Sequence, residues 1–319
     1  MKGKLLVLLP GLSPELKEEI RSAAEKRSYA PMILETPEEA RAKAEEAEII
    51  LSYDAGLAKN GKKLRWFCAA SAGVNHFVGL LPQEDILLTN SSGAYGVTIA
   101  EHIVMVCLEM MRRMEEYRGI VSRREWRRDL PITAIHGARI TMLGTGDIGQ
   151  EAARRFRAFD PACITGVNRG GKNPKGLFDR IMTVDALDAA LPETDVLVMS
   201  LPETPETVGL LNARRLNLLP ERAFLINVGR GTAIDQRTLE RMLRESRLAG
   251  AALDVFEREP LQKDDSLWEC PRLILTPHIA GNMTLPYTVE QIVHLFLEDF
   301  ENYCEGRPLQ RLVDLKIGY

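Results

Sequence analysis

Apolar positions along the chain fall into two alternating series of strand-like runs and helical stripes, separated by one long amphipathic segment. In the first series, Lys4–Leu9 reads as a buried strand. Ser13 stands where an N-cap belongs and Pro14 at the first helical position, which predicts a helix to about Lys26. Met32–Leu34 is a short strand, and Thr36, Pro37 and Glu38 open a second helix rich in Ala and Glu. Its acidic run, Glu38–Glu46, reads as a solvated face. Glu48–Leu51, Leu64–Ala69 and Ile86–Thr89 follow as strands. This βαβ rhythm predicts a parallel sheet.

From Thr98 the period changes. Ile99, Ile103, Val106, Met110 and Met114 recur at helical spacing, as the core-facing stripe of one long helix. The basic stretch Arg118–Arg128, with Trp126 inside it, reads either as a solvated arm or as a segment that reaches a partner subunit. A second series begins at Ala138. Strands are expected at Arg139–Leu143, Ile164–Val167, Val196–Met199, Phe224–Val228, Ala251–Asp254 and Leu273–Leu275. Helices are expected near Gly149–Phe159, Val184–Ala190, Gln236–Ser246 and Pro286–Glu305, the last with Val289, Ile292, Val293, Phe296 and Phe300 on one face.

A chain of 319 residues with 45% apolar and 27% charged residues suits two soluble globular domains. A net charge of −4 gives no reason to expect nucleic acid or an anionic membrane as partner. No run of about twenty apolar residues is present, so no membrane span is expected. The apolar run near Met1 is too short for a signal peptide and has no small-residue cleavage site after it. Cys68, Cys107, Cys163, Cys270 and Cys304 are scattered and odd in number. They are expected as buried, inert thiols of a reducing, cytoplasmic setting, with no disulfide framework and no metal site.

The segment Gly144-Thr145-Gly146-Asp147-Ile148-Gly149 lies between a strand and a helix, with a second strand following at βαβ distance. Gly144 permits the turn, Gly146 lets the backbone approach a pyrophosphate, and Gly149 allows close helix–strand packing. The helix N-terminus offers free N–H groups and partial positive charge to the phosphates. This is a dinucleotide loop. At the end of the second strand, where NAD sites place an acidic residue, stand Asn168 and Arg169, with Lys172 nearby. A neutral residue and a guanidinium suit a 2′-phosphate, so NADP is preferred to NAD.

Three further segments each follow an expected strand: Ile226-Asn227-Val228-Gly229-Arg230-Gly231, Asp254-Val255-Phe256-Glu257-Arg258-Glu259-Pro260 and Leu275-Thr276-Pro277-His278-Ile279-Ala280-Gly281. Ser71-Ala72-Gly73-Val74-Asn75, Asn90, Ala100-Glu101-His102 and Leu201-Pro202-Glu203-Thr204-Pro205-Glu206-Thr207 join them. Across nearly the whole chain these motifs resemble the D-isomer-specific 2-hydroxyacid dehydrogenase family. The shape of the Asn168-Arg169 site and the chain length look more like its glyoxylate/hydroxypyruvate reductase branch.

The resemblance implies an α/β fold of two Rossmann-like domains with parallel sheets. The cofactor domain, 98–284, is inserted into a flavodoxin-like substrate domain of 1–97 and 285–319. It implies Arg230 as the substrate-orienting arginine, Glu259 as the carboxylate paired with the catalytic histidine, and His278 as the general acid/base. Asp254 would lie near the nicotinamide, and Gly73 and Val74 would offer N–H groups to the substrate carboxylate. Leu201, Pro202, Thr207, Val228, Gly229, Ala280 and Gly281 complete the cofactor contacts, with Gly144, Gly146, Asp147, Ile148 and Gly149 at the phosphates. A homodimer is implied, because relatives usually form one. No regulatory extension is expected after Tyr319.

The chemistry needs these residue types. Hydride transfer to a ketone builds negative charge on oxygen, which an imidazolium quenches. A carboxylate fixes the ring tautomer, and a guanidinium grips the substrate carboxylate with fork geometry. Glu257 competes with Glu259, and the position before the proline selects Glu259. The formate dehydrogenases of this fold use glutamine there, so Glu259 favours 2-keto and D-2-hydroxy acid chemistry. His102 reads as structural, and Glu101 as fixing a hinge. The roles of Tyr53, Tyr95 and Trp126 stay open between pocket and packing. The rival readings are a nonenzymatic dinucleotide-sensing protein of the same fold and, last, an S-adenosylmethionine methyltransferase, which leaves Arg230, Glu259 and His278 unexplained.

Overall fold

The computed structural model of the chain describes residues 3–77, 79–81, 85–173 and 175–315. The chain divides into two compact units, Met1–Tyr95 with Asn282–Tyr319, and Gly96–Gly281. The outer limits expected for the first domain, Met1 and Tyr319, lie outside the described residues.

The first unit contains β1 (Gly3–Leu8), α1 (Pro14–Lys26), β2 (Tyr29–Ile33), α2 (Pro37–Lys43), β3 (Ile49–Ser52), α3 (Gly56–Lys59), β4 (Trp66–Ala69) and β5 (Leu87–Thr89). Its strands are parallel in the order β2-β1-β3-β4-β5. The caps act as their sequence suggests: Ser13 Oγ accepts from Leu16 N at 3.2 Å, and Thr36 Oγ1 from Glu39 N at 3.3 Å.

The second unit runs through α4 (Gly96–Met111), α5 (Met114–Ser122), β6 (Arg139–Leu143), α6 (Asp147–Phe156), β7 (Cys163–Val167), β8 (Arg180–Met182), α7 (Leu187–Ala190), β9 (Val196–Met199), α8 (Ala213–Leu216), β10 (Phe224–Asn227), α9 (Gln236–Arg244), β11 (Gly250–Leu253) and β12 (Leu273–Leu275). The strand order is β12-β11-β10-β9-β6-β7-β8, again all parallel. The chain leaves β6 in one direction and returns to β9 on its other side. That is a topological switch point, where open α/β sheets bind ligands beyond the strands' carboxyl ends. The chain then returns to the first unit as α10 (Pro286–Cys304).

Several elements differ from expectation. The long helix starts at Gly96 instead of Thr98, because the Asp147 carboxylate takes the Gly96 N–H. It is also broken: Arg113 is left-handed (φ 56°, ψ 40°), which ends α4 at Met111 and starts α5 at Met114. Ile99, Ile103 and Val106 are buried as a core stripe requires, whereas Met114 is exposed. Cys163 and Cys304 are only half-buried. The short edge strand β8 and the single-turn helices α3 and α8 have no counterpart in the sequence reading.

The core of the first unit closes on α10. Trp66 of β4 stacks on Phe296 at 5.3 Å, and Phe296 on Phe300 at 5.7 Å. The Trp66 indole N–H donates to Thr89 Oγ1 at 2.9 Å, so this buried ring leaves no donor unpaired. Phe296→Ala is expected to cost about 3–5 kcal/mol through lost burial and the cavity left behind. Urea unfolding of the full chain checks this, and a loss below about 1 kcal/mol would refute the central role of the stack.

Candidate active site

Each of the cofactor and catalytic residues expected from the sequence stands in the second unit, at or beyond the carboxyl end of a strand of its sheet. Gly73 and Val74 belong to the first unit, in the loop after β4, where the Val74 carbonyl accepts from Phe77 N at 2.8 Å.

After β6, Gly144 has φ +99°, which an L side chain rarely adopts. A Cβ on Gly149 would stand 2.1 Å from the Gly144 carbonyl oxygen, so α6 and its strand approach more closely than any other residue permits. Gly146 caps α6 without a side chain, and nothing lies within 4 Å of where its Cβ would be. The α6 N-terminus, which carries the positive end of the helix, thus begins with no capping side chain over its first N–H groups. Asp147 turns its carboxylate to Gly96 N–H at the start of α4, and burial raises its pKa against that bond. Its side chain thus ties loop to helix, while Oδ2 is buried and meets no hydrogen-bond partner.

After β7, Asn168 Nδ2 donates to Thr145 Oγ1 at 2.7 Å and to the Lys172 carbonyl at 3.0 Å. Its Oδ1 is buried and meets no hydrogen-bond partner. An orphaned acceptor beside an open glycine cradle fits a ribose hydroxyl. Arg169 and Lys172 are exposed on the same loop. The residues present therefore fit a dinucleotide. After β9, Thr207 Oγ1 donates to the Pro202 carbonyl at 2.7 Å and folds Leu201–Thr207 into a tight turn. A Cβ on Gly229 would meet Leu201 O at 2.6 Å, so the loops after β9 and β10 are in direct contact.

Three strand-end loops carry Arg230, Glu259 and His278. Asn227, buried at the end of β10, donates from Nδ2 to the Arg230 carbonyl at 2.9 Å and accepts from Gly229 N at 3.0 Å. Arg230 is half-buried, and its Nη1 donates to the Gly229 carbonyl at 2.8 Å. Burial lowers its pKa, and the nearby Glu203 and Glu259 carboxylates oppose that. A Cβ on Gly231 would lie 1.8 Å from the Phe256 carbonyl carbon, so the arginine loop is pressed against the loop after β11.

In that loop Glu259 uses both oxygens. Oε1 accepts from Phe256 N at 3.0 Å, and Oε2 meets His278 Nδ1 at 2.7 Å. With Nδ1–H donated to the carboxylate, Nε2 is the ring's remaining nitrogen for chemistry. Glu257 is engaged elsewhere: its Oε1 accepts from Gln236 N at 3.1 Å at the start of α9. His278 has φ 54°, a left-handed backbone that a non-glycine residue adopts only when its surroundings impose it. Asp254 imposes it. Its Oδ1 accepts from Ile279 N at 2.8 Å and Thr276 Oγ1 at 2.6 Å, its Oδ2 from Ala280 N at 2.9 Å, and its carbonyl from His278 N at 2.9 Å.

His102 on α4 lies 3.4 Å from Thr276 Oγ1. That hydroxyl gives its proton to Asp254, so His102 Nε2–H is the donor, and burial keeps the ring below its ordinary pKa. Glu101 pairs with Arg155 of α6 at 3.3 Å, inside its own unit. Tyr95 is buried with its hydroxyl donated to the Ala70 carbonyl. Tyr53 and Trp126 are exposed. The sequence reading missed Asn227 and Thr276 as supports, although both lie inside quoted motifs; a buried polar residue at a strand end is the signal that could have found them.

Residues 104–280 match the family described as D-isomer specific 2-hydroxyacid dehydrogenase, NAD binding domain. Glyoxylate/hydroxypyruvate reductase A of Citrobacter koseri is 32% identical over 249 residues, covering 74% of this chain and 78% of that protein. The crystal structure of a D-isomer specific 2-hydroxyacid dehydrogenase family protein from Aeromonas salmonicida superimposes with a TM-score of 0.87 at 31% identity, covering 99% of this chain and 100% of the other. An NADPH-dependent glyoxylate/hydroxypyruvate reductase from Sinorhizobium meliloti, in complex with NADP and sulfate, gives a TM-score of 0.80 at 28% identity, with both chains covered in full (100%). A sheet order with its switch beside the glycine loop, the strand-end triad and these likenesses agree: the chain belongs to the D-isomer specific 2-hydroxyacid dehydrogenase family.

Proposed function

We propose that this dehydrogenase is an NADPH-preferring reductase of small 2-keto acids of the glyoxylate and hydroxypyruvate type, with Arg230, Glu259 and His278 as its chemical residues. The observation that carries the reading is the 2.7 Å pair between His278 Nδ1 and Glu259 Oε2, on a loop locked against that of Arg230. The named relatives in Citrobacter and Sinorhizobium support the substrate class, and the latter supports NADPH.

When bound, a nicotinamide cofactor would supply or accept the hydride. Glu259 holds the His278 ring with Nε2 outward, where it donates a proton to the keto oxygen as negative charge develops. Arg230 orients the substrate carboxylate through its planar fork. The Gly144–Gly149 loop and the α6 N-terminus receive the pyrophosphate, Asn168 the ribose, and Arg169 and Lys172 the 2′-phosphate. Leu201, Pro202, Thr207, Val228, Gly229, Asp254, Ala280 and Gly281 frame the rest of the cofactor.

In this reading the enzyme is a cytoplasmic homodimer. Two copies would cover the apolar surface at Trp126, which is 92% exposed, and at Val121 and Ile132, 69% and 49% exposed. Exposed apolar side chains gathered on one segment are a mark of an interaction surface.

His278→Ala is expected to lower kcat by about 10²–10⁴-fold, the usual worth of a general acid, while NADPH binding measured by fluorescence persists. Normal turnover by that variant would remove the acid/base role. Arg169→Ala is expected to raise KM for NADPH by about tenfold or more and to leave KM for NADH nearly unchanged, as loss of a charge-assisted phosphate contact requires. A wild-type preference for NADH would overturn the NADPH assignment. Trp126→Asp is expected to shift the molecular mass by light scattering from two chains to one; a monomeric wild type would end the dimer proposal.

A further inference from the structure

The loop after β10 that carries Arg230 also holds a second carboxylate, Glu203, that the three-residue site does not use. Glu203, like Glu259, supports the charge of this half-buried guanidinium against its burial. Glu203 lies near the start of the loop after β9 and is itself half-buried. It is not left to find its own place: Thr232 Oγ1 donates to Glu203 Oε2 at 2.6 Å, two residues beyond Arg230. The same two segments are joined by their backbones. Gly209 N donates to the Thr232 carbonyl at 2.8 Å, Leu211 N to the Ala233 carbonyl at 2.9 Å, and Leu211 and Ile234 form a parallel bridge. The carboxylate and the guanidinium therefore sit on adjoining strand ends zipped together, with a hydroxyl fixing one to the neighbourhood of the other.

We propose that Glu203, held by Thr232, positions the Arg230 guanidinium and makes this site select keto acids with one negative charge. The inference deepens the reading above and rests on Arg230 receiving the substrate carboxylate. An arginine with one N–H spent on the Gly229 carbonyl and carboxylates nearby has its plane set before substrate arrives. Glu203 also offsets part of the guanidinium's charge before substrate arrives. The carboxylate of a monoanionic keto acid meets the fork of Arg230 directly. A second carboxylate on the substrate feels Glu203. Between unit charges a few ångströms apart near a protein surface, such repulsion amounts to a discrimination of about tenfold or more.

The test uses the full-length enzyme with NADPH and two keto acids, glyoxylate as monoanion and oxaloacetate as dianion, comparing wild type, Glu203→Gln, Glu203→Asp and Thr232→Val. The ratio of kcat/KM for glyoxylate to that for oxaloacetate is expected to fall by about tenfold in Glu203→Gln, which keeps the shape and removes the charge. KM for glyoxylate should rise with less change in kcat. Glu203→Asp should keep most of the ratio, and Thr232→Val should lower it in part, so an unfolded Gln variant would still leave two readings of the effect. A uniform loss for both substrates, or a ratio unchanged within about twofold, would overturn the proposal while leaving the reductase reading intact. Absence of turnover of any 2-keto acid by wild type would overturn both.

Discussion

The Asp254 carboxylate, 2% exposed at the end of β11, accepts from the backbone of Ile279 and Ala280 and from the Thr276 hydroxyl, all on the loop after β12. A buried carboxylate is stable only when its lone pairs are satisfied, and here the satisfaction comes from the loop that presents the histidine. Releasing those donors would free His278 from its left-handed backbone and separate it from Glu259. Removing one partner of such a network leaves the others buried and unpaired, so the arrangement is far more costly to disturb than any single bond suggests. On the adjoining strand Asn227, 1% exposed, does for the arginine loop what Asp254 does for the histidine loop. The two are linked directly, since Asp254 N donates to the Asn227 carbonyl at 3.0 Å.

This economy follows from parallel strands in register. Leu225, Ile226 and Asn227 of β10 pair with Ala251, Ala252 and Leu253 of β11, and Leu253 pairs with Leu275 of β12. Three successive strands thus end level, and the first residues beyond them emerge side by side. Local sequence does the rest: one polar residue at each strand end, a glycine where backbones touch, and Arg230, Glu259 or His278 a few residues further on. The dinucleotide loop is built the same way on β6, across the switch point.

Much of this was legible in the chain because it is written locally. Ser13 and Thr36 announce helix starts through hydroxyls that bond three residues ahead, and buried parallel strands such as Trp66–Ala69 and Val196–Met199 are continuous apolar runs. The glycine loop and the segments bearing Arg230, Glu259 and His278 were equally plain, since each follows such a strand. What was hidden depends on contacts distant in sequence. Arg180–Met182 is an edge strand too short and too exposed to show a period. The break at Arg113 interrupts a stretch whose apolar spacing continues through it, and periodicity cannot register a single left-handed residue. Asp147 looks like a ligand of phosphate until the fold sets it against Gly96, and Glu203 looks like one more loop acid until Thr232 fixes it.

The close approach at Gly231 has a consequence for how this site can change. With the Phe256 backbone where a methyl group would stand, the arginine loop and the glutamate loop can be inherited or transplanted only as one cassette. A designer who moves Arg230 into another scaffold must bring the β11 loop with it. A lineage exploring new substrates is expected to vary the loop after β9, which borders this cassette from the side, long before it varies the cassette itself.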